Sequence, residues 1–290
     1  MDTKLSTMFD KFQRFEIRGA NKSTNTDESY ANAKKLCIRF FGDISISNLN
    51  EINTREFYEH LTTWQKPNTV RLNIVCLRCV IKYASRKGIQ VMDVEDLRVP
   101  QRQKTQIVYL DDQEMAAFIA AAGQKRPGYR QENRLRNVAM IKLLFATGIR
   151  PGELCRLNRN SIRNRQFSVI GKSKDPRPAY ITKDVEDAIR EYLSVRTDRD
   201  LALFTSPSTG RRISVGTIQE VYRRVRARSG LYGTTARVSR HSFATKLLRG
   251  EVDIFYISDF LGHQSLDTTK LYLHYENPKL RHVYEVAMGS

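Results

Sequence analysis

Long apolar runs are missing from this chain: no stretch approaches the roughly 18 consecutive apolar residues that a membrane-spanning helix needs. The opening MDTKLSTMFDKF also lacks the apolar core of a signal peptide, so neither a membrane partner nor secretion is expected, and a cytoplasmic location is. Cysteine is scarce, with four in 290 residues, which excludes a disulfide framework. Cys76 and Cys79 have a C-x-x-C spacing, yet no second pair or nearby His completes a zinc site. They lie in TVRLNIVCLRCVIKYASRKG, where apolar residues recur at helical spacing, and are read as buried helix positions. Acidic residues are few beside basic ones, 31 against 49, for a formal net charge of +18. A chain this basic attracts polyanions, most commonly nucleic acid, with an affinity that falls steeply with salt. Hydrophobic residues at 40% are enough to fill real cores, so a disordered chain is excluded.

The first hundred residues read as helices with short polar joints. One helix is expected over residues 26–41, with Tyr30, Ala33, Cys37 and Phe40 on one stripe and Gly42 as its stop. Asn53 and Glu56 suggest a capping box for a second, carrying Phe57, Leu61 and Trp64. A third is expected from near Asn68 to Gly88, exposing Arg71, Arg78, Lys82, Arg86 and Lys87. LRVPQRQKTQIVYL then has a proline, several charges and no periodicity, as a basic linker would. Beyond it, Asp111 with Glu114 caps a new helix, and residues 134–147 form a densely apolar one. Strands are expected near 166–171 and 177–182, joined by KSKDP as a hairpin turn. A helix after Ser214 turns Ile218, Val221, Tyr222 and Val225 inward, and Arg223, Arg224, Arg226 and Arg228 mostly outward. Further helical patterns cover 239–248, 254–261 and 268–275. The fold class is mainly α: a helical N-terminal domain at 1–99, a linker at 100–106, and a mostly helical domain with a small antiparallel sheet at 107–290, ending in a tail at 276–290.

Four separated stretches point to one chemistry. In ATGIRPGELCRL, Arg150 follows a glycine turn and Glu153 lies three residues on. Such an arginine can fork onto two phosphate oxygens while the carboxylate holds it, although the same pair also serves as an ordinary helix-start ion pair. VIGKSKDPR sets Lys172 and Lys174 on the hairpin tip, where lysines are usually solvated edge charges. TARVSRHSFATKLLRG clusters Arg237, Arg240 and His241 before an apolar helix. In LGHQSLDTTKLYLHY, His263 ends one helix and Tyr272 lies on the next. A tyrosine flanked by apolar residues is normally core; beside two arginines, a lysine and a histidine it has the makings of a nucleophile with a phosphate trap.

In that order, these residues resemble the tyrosine recombinase (phage integrase) family. LGHQSLDTTKLYLH matches the family's LGH…TT…Y-x-H signature, ATGIRPGELCRL its first-arginine box and RHSFAT its second. The resemblance covers roughly residues 107–276; the helical N-terminal half also looks like the family's core-binding domain, with weaker motifs. In length the chain is similar to simple Xer-type recombinases and to transposon or archaeal integrases. The resemblance implies a site-specific DNA recombinase that cuts and rejoins duplex DNA through a covalent 3′-phosphotyrosyl intermediate. It makes Tyr272 the nucleophile and Arg150 and Arg240 the clamp on the non-bridging oxygens. Lys172 becomes the general acid, with Lys174 as the alternative; His263 is a hydrogen-bond donor to the phosphate, and Glu153 a support through Arg150. No metal or other cofactor is implied, since the arginines and lysine supply the positive charge.

One position departs from the pattern. The family's H-x-x-R box puts His where this chain has Arg237, and arginine cannot accept the tyrosine proton, although it can donate to phosphate. His241, adjacent to Arg240, would point about 100° away from it on a helix and is read as packing. The resemblance further implies a recombination site in duplex DNA as partner, a dimer on each site, a tetrameric synapse and a nucleoid-associated location. Arg71, Arg78, Lys82, Arg86, Lys87, Arg223 and Arg224 are the candidate DNA contacts. Two alternatives stay open: a sequence-specific DNA-binding protein on the same fold with impaired catalysis, and a type IB topoisomerase-like strand transferase.

Overall fold

The computed structural model describes residues 3–103, 107–171, 176–206, 208–263 and 265–273. Lys172, Lys174, the KSKDP turn up to Asp175 and the tail at 276–290 lie outside the described residues. The chain divides into two compact units, Met1–Thr105 and Gln106–Ser290.

The first unit is built on α1 (Leu5–Phe12), α2 (Thr24–Phe41), α3 (Glu51–Thr62) and α4 (Pro67–Arg86). The first of these is absent from the expectations above, though Leu5, Met8, Phe9 and Phe12 have the spacing of one helix face and are all buried. A π-helical turn, Gln13–Arg18, prolongs it. Ser23 caps α2 and Gly42, at φ +75°, ends it. Two features of α3 differ from expectation. Its capping box is Asn50 with Asn53: each backbone N–H donates to the other's side-chain oxygen at 3.0 Å. The amide oxygen of Asn53 thus serves where Glu56 was expected, one turn earlier, and α3 is over by Thr62. Trp64 therefore falls past the helix end and is 57% exposed instead of sharing the stripe of Phe57 and Leu61.

Pro67 at the first position of α4 starts that helix where its missing N–H costs nothing. Val70, Ile74, Leu77, Ile81 and Ala84 form its buried face. Cys76 is buried and Cys79 half-buried, both as free thiols. Lys82, Arg86 and Lys87 are exposed as expected, but Arg71 and Arg78 are half-buried. The segment after α4 folds back over it, so that Arg78 reaches Glu95 at 2.6 Å and the Leu97 carbonyl at 3.4 Å. Arg86 pairs with Glu16 at 3.2 Å.

The second unit packs α5 (Asp112–Gly123), α8 (Lys183–Ser194) and α10 (Ala236–Arg249) around α6 (Gln131–Thr147). Helix α6 is buried on nearly every side, which is why its apolar residues show no single stripe. The Asp111–Glu114 capping box starts α5, with bonds of 3.0 and 2.8 Å. Strands β1 (Gln166–Ile170) and β2 (Pro176–Tyr180) pair antiparallel, with Phe167 opposite Ala179 and Val169 opposite Arg177. Burial alternates along both, so Phe167 and Val169 face the core and Arg177 and Ala179 share that face. On α9 (Val215–Ser229), Ile218, Val221, Tyr222 and Val225 are buried, and Arg223 and Arg224 are exposed. Helix α10 begins three residues earlier than expected, which places Arg237 in its first turn. The short helices α7 (Pro151–Arg156), α11 (Ile254–Leu261) and α12 (Asp267–Leu273) complete the unit. Among the described residues no helix is long and apolar enough to cross a membrane.

Candidate active site

Two left-handed glycines set the geometry. Gly148, at φ +60°, ends α6, and a Cβ there would lie 2.5 Å from the Phe243 ring, so the turn tolerates only glycine. The chain then passes through Ile149 to Arg150, the extended N-cap residue of α7, with Pro151 at N1. Gly262, also at φ +60°, ends α11, and a Cβ there would meet the Arg177 side chain at 2.9 Å. His263 follows directly.

Glu153 sits at the third position of α7, 3% exposed, and accepts four hydrogen bonds. The Arg150 backbone N–H donates at 2.8 Å and its guanidinium at 3.1 Å. Arg177, from β2, donates from both terminal nitrogens at 3.2 and 2.7 Å. Burial alone pushes the Glu153 carboxyl up, but the Arg177 hydrogen bonds, the Arg150 backbone bond and both guanidinium charges outweigh it, and the net direction is down. Glu153 is therefore a fixed anion at neutral pH. It holds the Arg150 side chain, 38% exposed, by one terminal guanidinium nitrogen and leaves the rest of the head open. The Arg177 Nε also donates to the Phe260 carbonyl at 3.0 Å. One guanidinium thus ties the Arg150 turn, strand β2 and the end of the helix before His263. Sequence reasoning missed Arg177. Its only signal was a charged residue at an inward position of an alternating strand.

Arg240 lies on the buried face of α10 and donates to the carbonyls of Gly148, at 2.8 Å, and Leu261. Both acceptors are at helix C-termini, where carbonyls lack intrahelical partners and favour a cation. Burial, and then the charge of Arg150, push the Arg240 guanidinium down to about 9, so it is still cationic at neutral pH. The His263 Nδ1 is 2.7 Å from the Thr269 hydroxyl, which orients the ring. Burial and the charges of Arg240, Arg150 and Arg177 hold the imidazole at about 4, and it is neutral at pH 7.

Tyr272 is 5% exposed on α12, and its hydroxyl is 2.9 Å from the Nδ1 of His241. Burial raises the Tyr272 phenol, with Arg240 and Arg150 pulling the other way. His241 is thus not simply packing. The 100° offset from Arg240 is real, but α10 is flanked on two sides: Arg240 faces the ends of α6 and α11 while His241 faces α12. Burial, then the charges of Arg237 and Arg240, hold His241 at about 4. Arg237 itself is exposed, one turn before Arg240. Arg150, Glu153, Arg240, His263 and Tyr272 are thereby brought into one site, with Arg237 at its rim. Arg223 and Arg224, expected as outward-facing DNA contacts, both pair with Glu220 at 2.6–2.7 Å. Among the described residues no group of His, Cys, Asp or Glu converges as a metal site would.

This arrangement, guanidinium groups gathered near a phenol and two neutral imidazoles, suits phosphoryl transfer. The sequence profile described as the phage integrase family matches residues 108–278. The tyrosine recombinase XerC of Mycobacterium bovis is 29% identical over 300 residues, covering 98% of this chain and 99% of the relative. The tyrosine recombinase XerC of Alcanivorax borkumensis is 31% identical over 229 residues, covering 76% of this chain and 73% of the relative. The fold is similar to that of the XerH site-specific recombinase, solved bound to its difH substrate in a pre-cleavage complex. That match has a TM-score of 0.73 at 21% identity, over 97% of this chain and 84% of the other. The chain belongs to the phage integrase family and is a tyrosine recombinase, an enzyme of site-specific DNA recombination.

Proposed function

We propose that Tyr272 is the nucleophile of this recombinase, attacking the scissile phosphate to leave protein on the 3′ end and a free 5′-hydroxyl. The observation that carries the reading is the pair of bonds from Arg240 to Gly148 and Leu261. They tie α10 to the ends of α6 and α11, and α12, which carries Tyr272, packs against α10 and α11. In this reading Arg150 and Arg240 bind the non-bridging oxygens and stabilise the charge that grows on them at the transition state. Glu153 positions Arg150, His263 donates a hydrogen bond to the phosphate, and Arg237 donates from the rim. Lys172 protonates the leaving 5′-oxygen, with Lys174 as the alternative. Rejoining is the same step reversed, with the 5′-hydroxyl as nucleophile.

The substrate in this reading is a duplex recombination site, as the XerH complex with its own substrate suggests. Residues 1–99 act as the core-binding domain and residues 107–290 as the catalytic domain. Lys82 on α4 and Lys87 at its end, both exposed, contact the DNA backbone, while Arg71, Arg78, Arg86, Arg223 and Arg224 contribute less because they are part-buried or paired. Two subunits occupy each site and four form the synapse, in a nucleoid-associated setting. The similarity to named recombinases favours neither a DNA-binding protein without catalysis nor a topoisomerase.

The test is Tyr272→Phe on a nicked suicide duplex carrying a site selected by the full chain from a random pool. Covalent protein–DNA complex should be lost while affinity for the duplex is nearly unchanged. A covalent adduct that persists in Tyr272→Phe assigns the nucleophile elsewhere.

A further inference from the structure

For Tyr272 to attack phosphorus, its phenolic proton has to leave. The ordinary phenol pKa is about 10, and burial lifts this one further. A nearby acceptor is therefore needed, and residue 237 cannot supply it, because an arginine has no acceptor atom. The His241 Nδ1, 2.9 Å from the Tyr272 hydroxyl, is already within proton-transfer distance.

We propose that His241 takes the Tyr272 proton during strand cleavage and returns it during rejoining, which makes it a catalytic residue. The proposal rests on the reading of Tyr272 as nucleophile. In cleavage the Tyr272 O–H bond breaks and its proton passes to Nδ1, which must start unprotonated with the hydrogen on Nε2. The phenolic oxygen forms a bond to phosphorus, the bond to the 5′-oxygen breaks, and that oxygen takes a proton from the general acid. In rejoining, each proton returns along the same path.

The surroundings suit the role. The charged and titratable groups facing His241 are Arg237 and Arg240 on its own helix and Tyr272 on α12; His263, after α11, is close enough to feel its charge. Burial and the two cations keep the imidazole unprotonated at neutral pH. The same cations make it a weak base while the site is empty. A phosphodiester anion seated between Arg150 and Arg240 offsets that positive charge and raises the basicity of His241. Tyr272 thus stays a neutral, hydrogen-bonded phenol until phosphate is bound, and proton transfer is coupled to substrate.

The experiment measures single-turnover cleavage of the selected suicide duplex against pH, for the wild type, His241→Ala, His241→Gln, Arg237→Ala and Tyr272→Phe. Thermal melting and duplex retention check the fold, and the near-isosteric His241→Gln carries the test should the alanine variant fail to fold. Both His241 variants should slow covalent complex formation by about 10²–10⁴, the usual worth of a general base. Their rates should then rise about tenfold per pH unit above neutrality, as solvent takes over deprotonation of the phenol. The wild type and Arg237→Ala should lack that alkaline slope. Wild-type rates in the His241 variants overturn the proposal, and so does a slowed rate whose pH profile runs parallel to wild type, which marks a positioning role. Covalent complex in Tyr272→Phe instead overturns the underlying reading of the nucleophile.

Discussion

Two buried arginines in the second unit, Arg196 and Arg240, solve the problem of a buried cation in opposite ways. Arg196 faces a carboxylate: Asp198 accepts from its Nε at 2.9 Å and from a terminal nitrogen, while the carbonyls of Ala202 and Leu203 accept at 2.7 and 3.0 Å. Burial pulls its guanidinium down, but Asp198 outweighs that, and the net direction is up. Arg240 has two carbonyl acceptors and, among the described residues, no carboxylate hydrogen-bonded to it; the charge of Glu153 only partly offsets burial and the nearby Arg150 and Arg177. Its guanidinium is pushed down to about 9. A cation whose partners satisfy it completely holds a loop together. A cation left short of negative charge and close to other cations is arranged to receive an anion from outside.

Arg240→Ala should have the largest effect. Removing a principal charge from the phosphate site should slow cleavage by about 10²–10³ or more, measured as covalent complex per folded molecule. Inorganic sulfate should raise the melting temperature of the wild type and fail to do so in that variant. Arg177→Ala comes next: it strips Glu153 of two of its four hydrogen bonds and leaves the Phe260 carbonyl without its guanidinium. Cleavage should slow about 10- to 100-fold through displacement of Arg150 and His263. Arg177→Lys should rescue little, because an ammonium cannot reproduce the three-way fork. Arg196→Ala should leave the rate per folded molecule unchanged and cost roughly 3 kcal/mol in stability, the low end for a broken buried pair. Denaturant melts separate the two outcomes, and a cleavage defect in Arg196→Ala that exceeds its unfolded fraction would erase the distinction between the two arginines.

The smallest effect concerns pH. His241 and His263 are both held at about 4, below the ordinary 6.5. The unfolded chain therefore binds more protons between these values, and stability falls as pH drops from about 6.5 toward 4. Each residue contributes at most about 1.4 kcal/mol per pH unit, and less in practice because both rings are half-buried and solvent screens the effect. His241→Gln and His263→Gln should each flatten the fall in melting temperature between neutral and mildly acidic pH. An unchanged slope in both would mean that neither imidazole is neutral in the folded chain.

What could be read in the chain was what neighbours in sequence decide. The Asp111–Glu114 cap, the apolar α6, the alternation along β1 and β2 and the inward face of α9 all follow from contacts within one or two turns, where backbone geometry leaves few choices. The order of the four motifs, and so the family, was legible for the same reason, since each motif is a short local device. Short range also set the limit: the Asn53–Glu56 spacing fitted a capping box, but the helix starts one turn earlier, on Asn50 and Asn53. Tertiary structure alone decided that Arg177 joins α7, β2 and α11, because its partners lie 24 and 83 residues away. It also decided that Arg78 is covered, and that His241 meets a tyrosine 31 residues on. Helical periodicity fixes the angle between Arg240 and His241, but only the packing of α10 against both the ends of α6 and α11 and the face of α12 determines what stands at each angle.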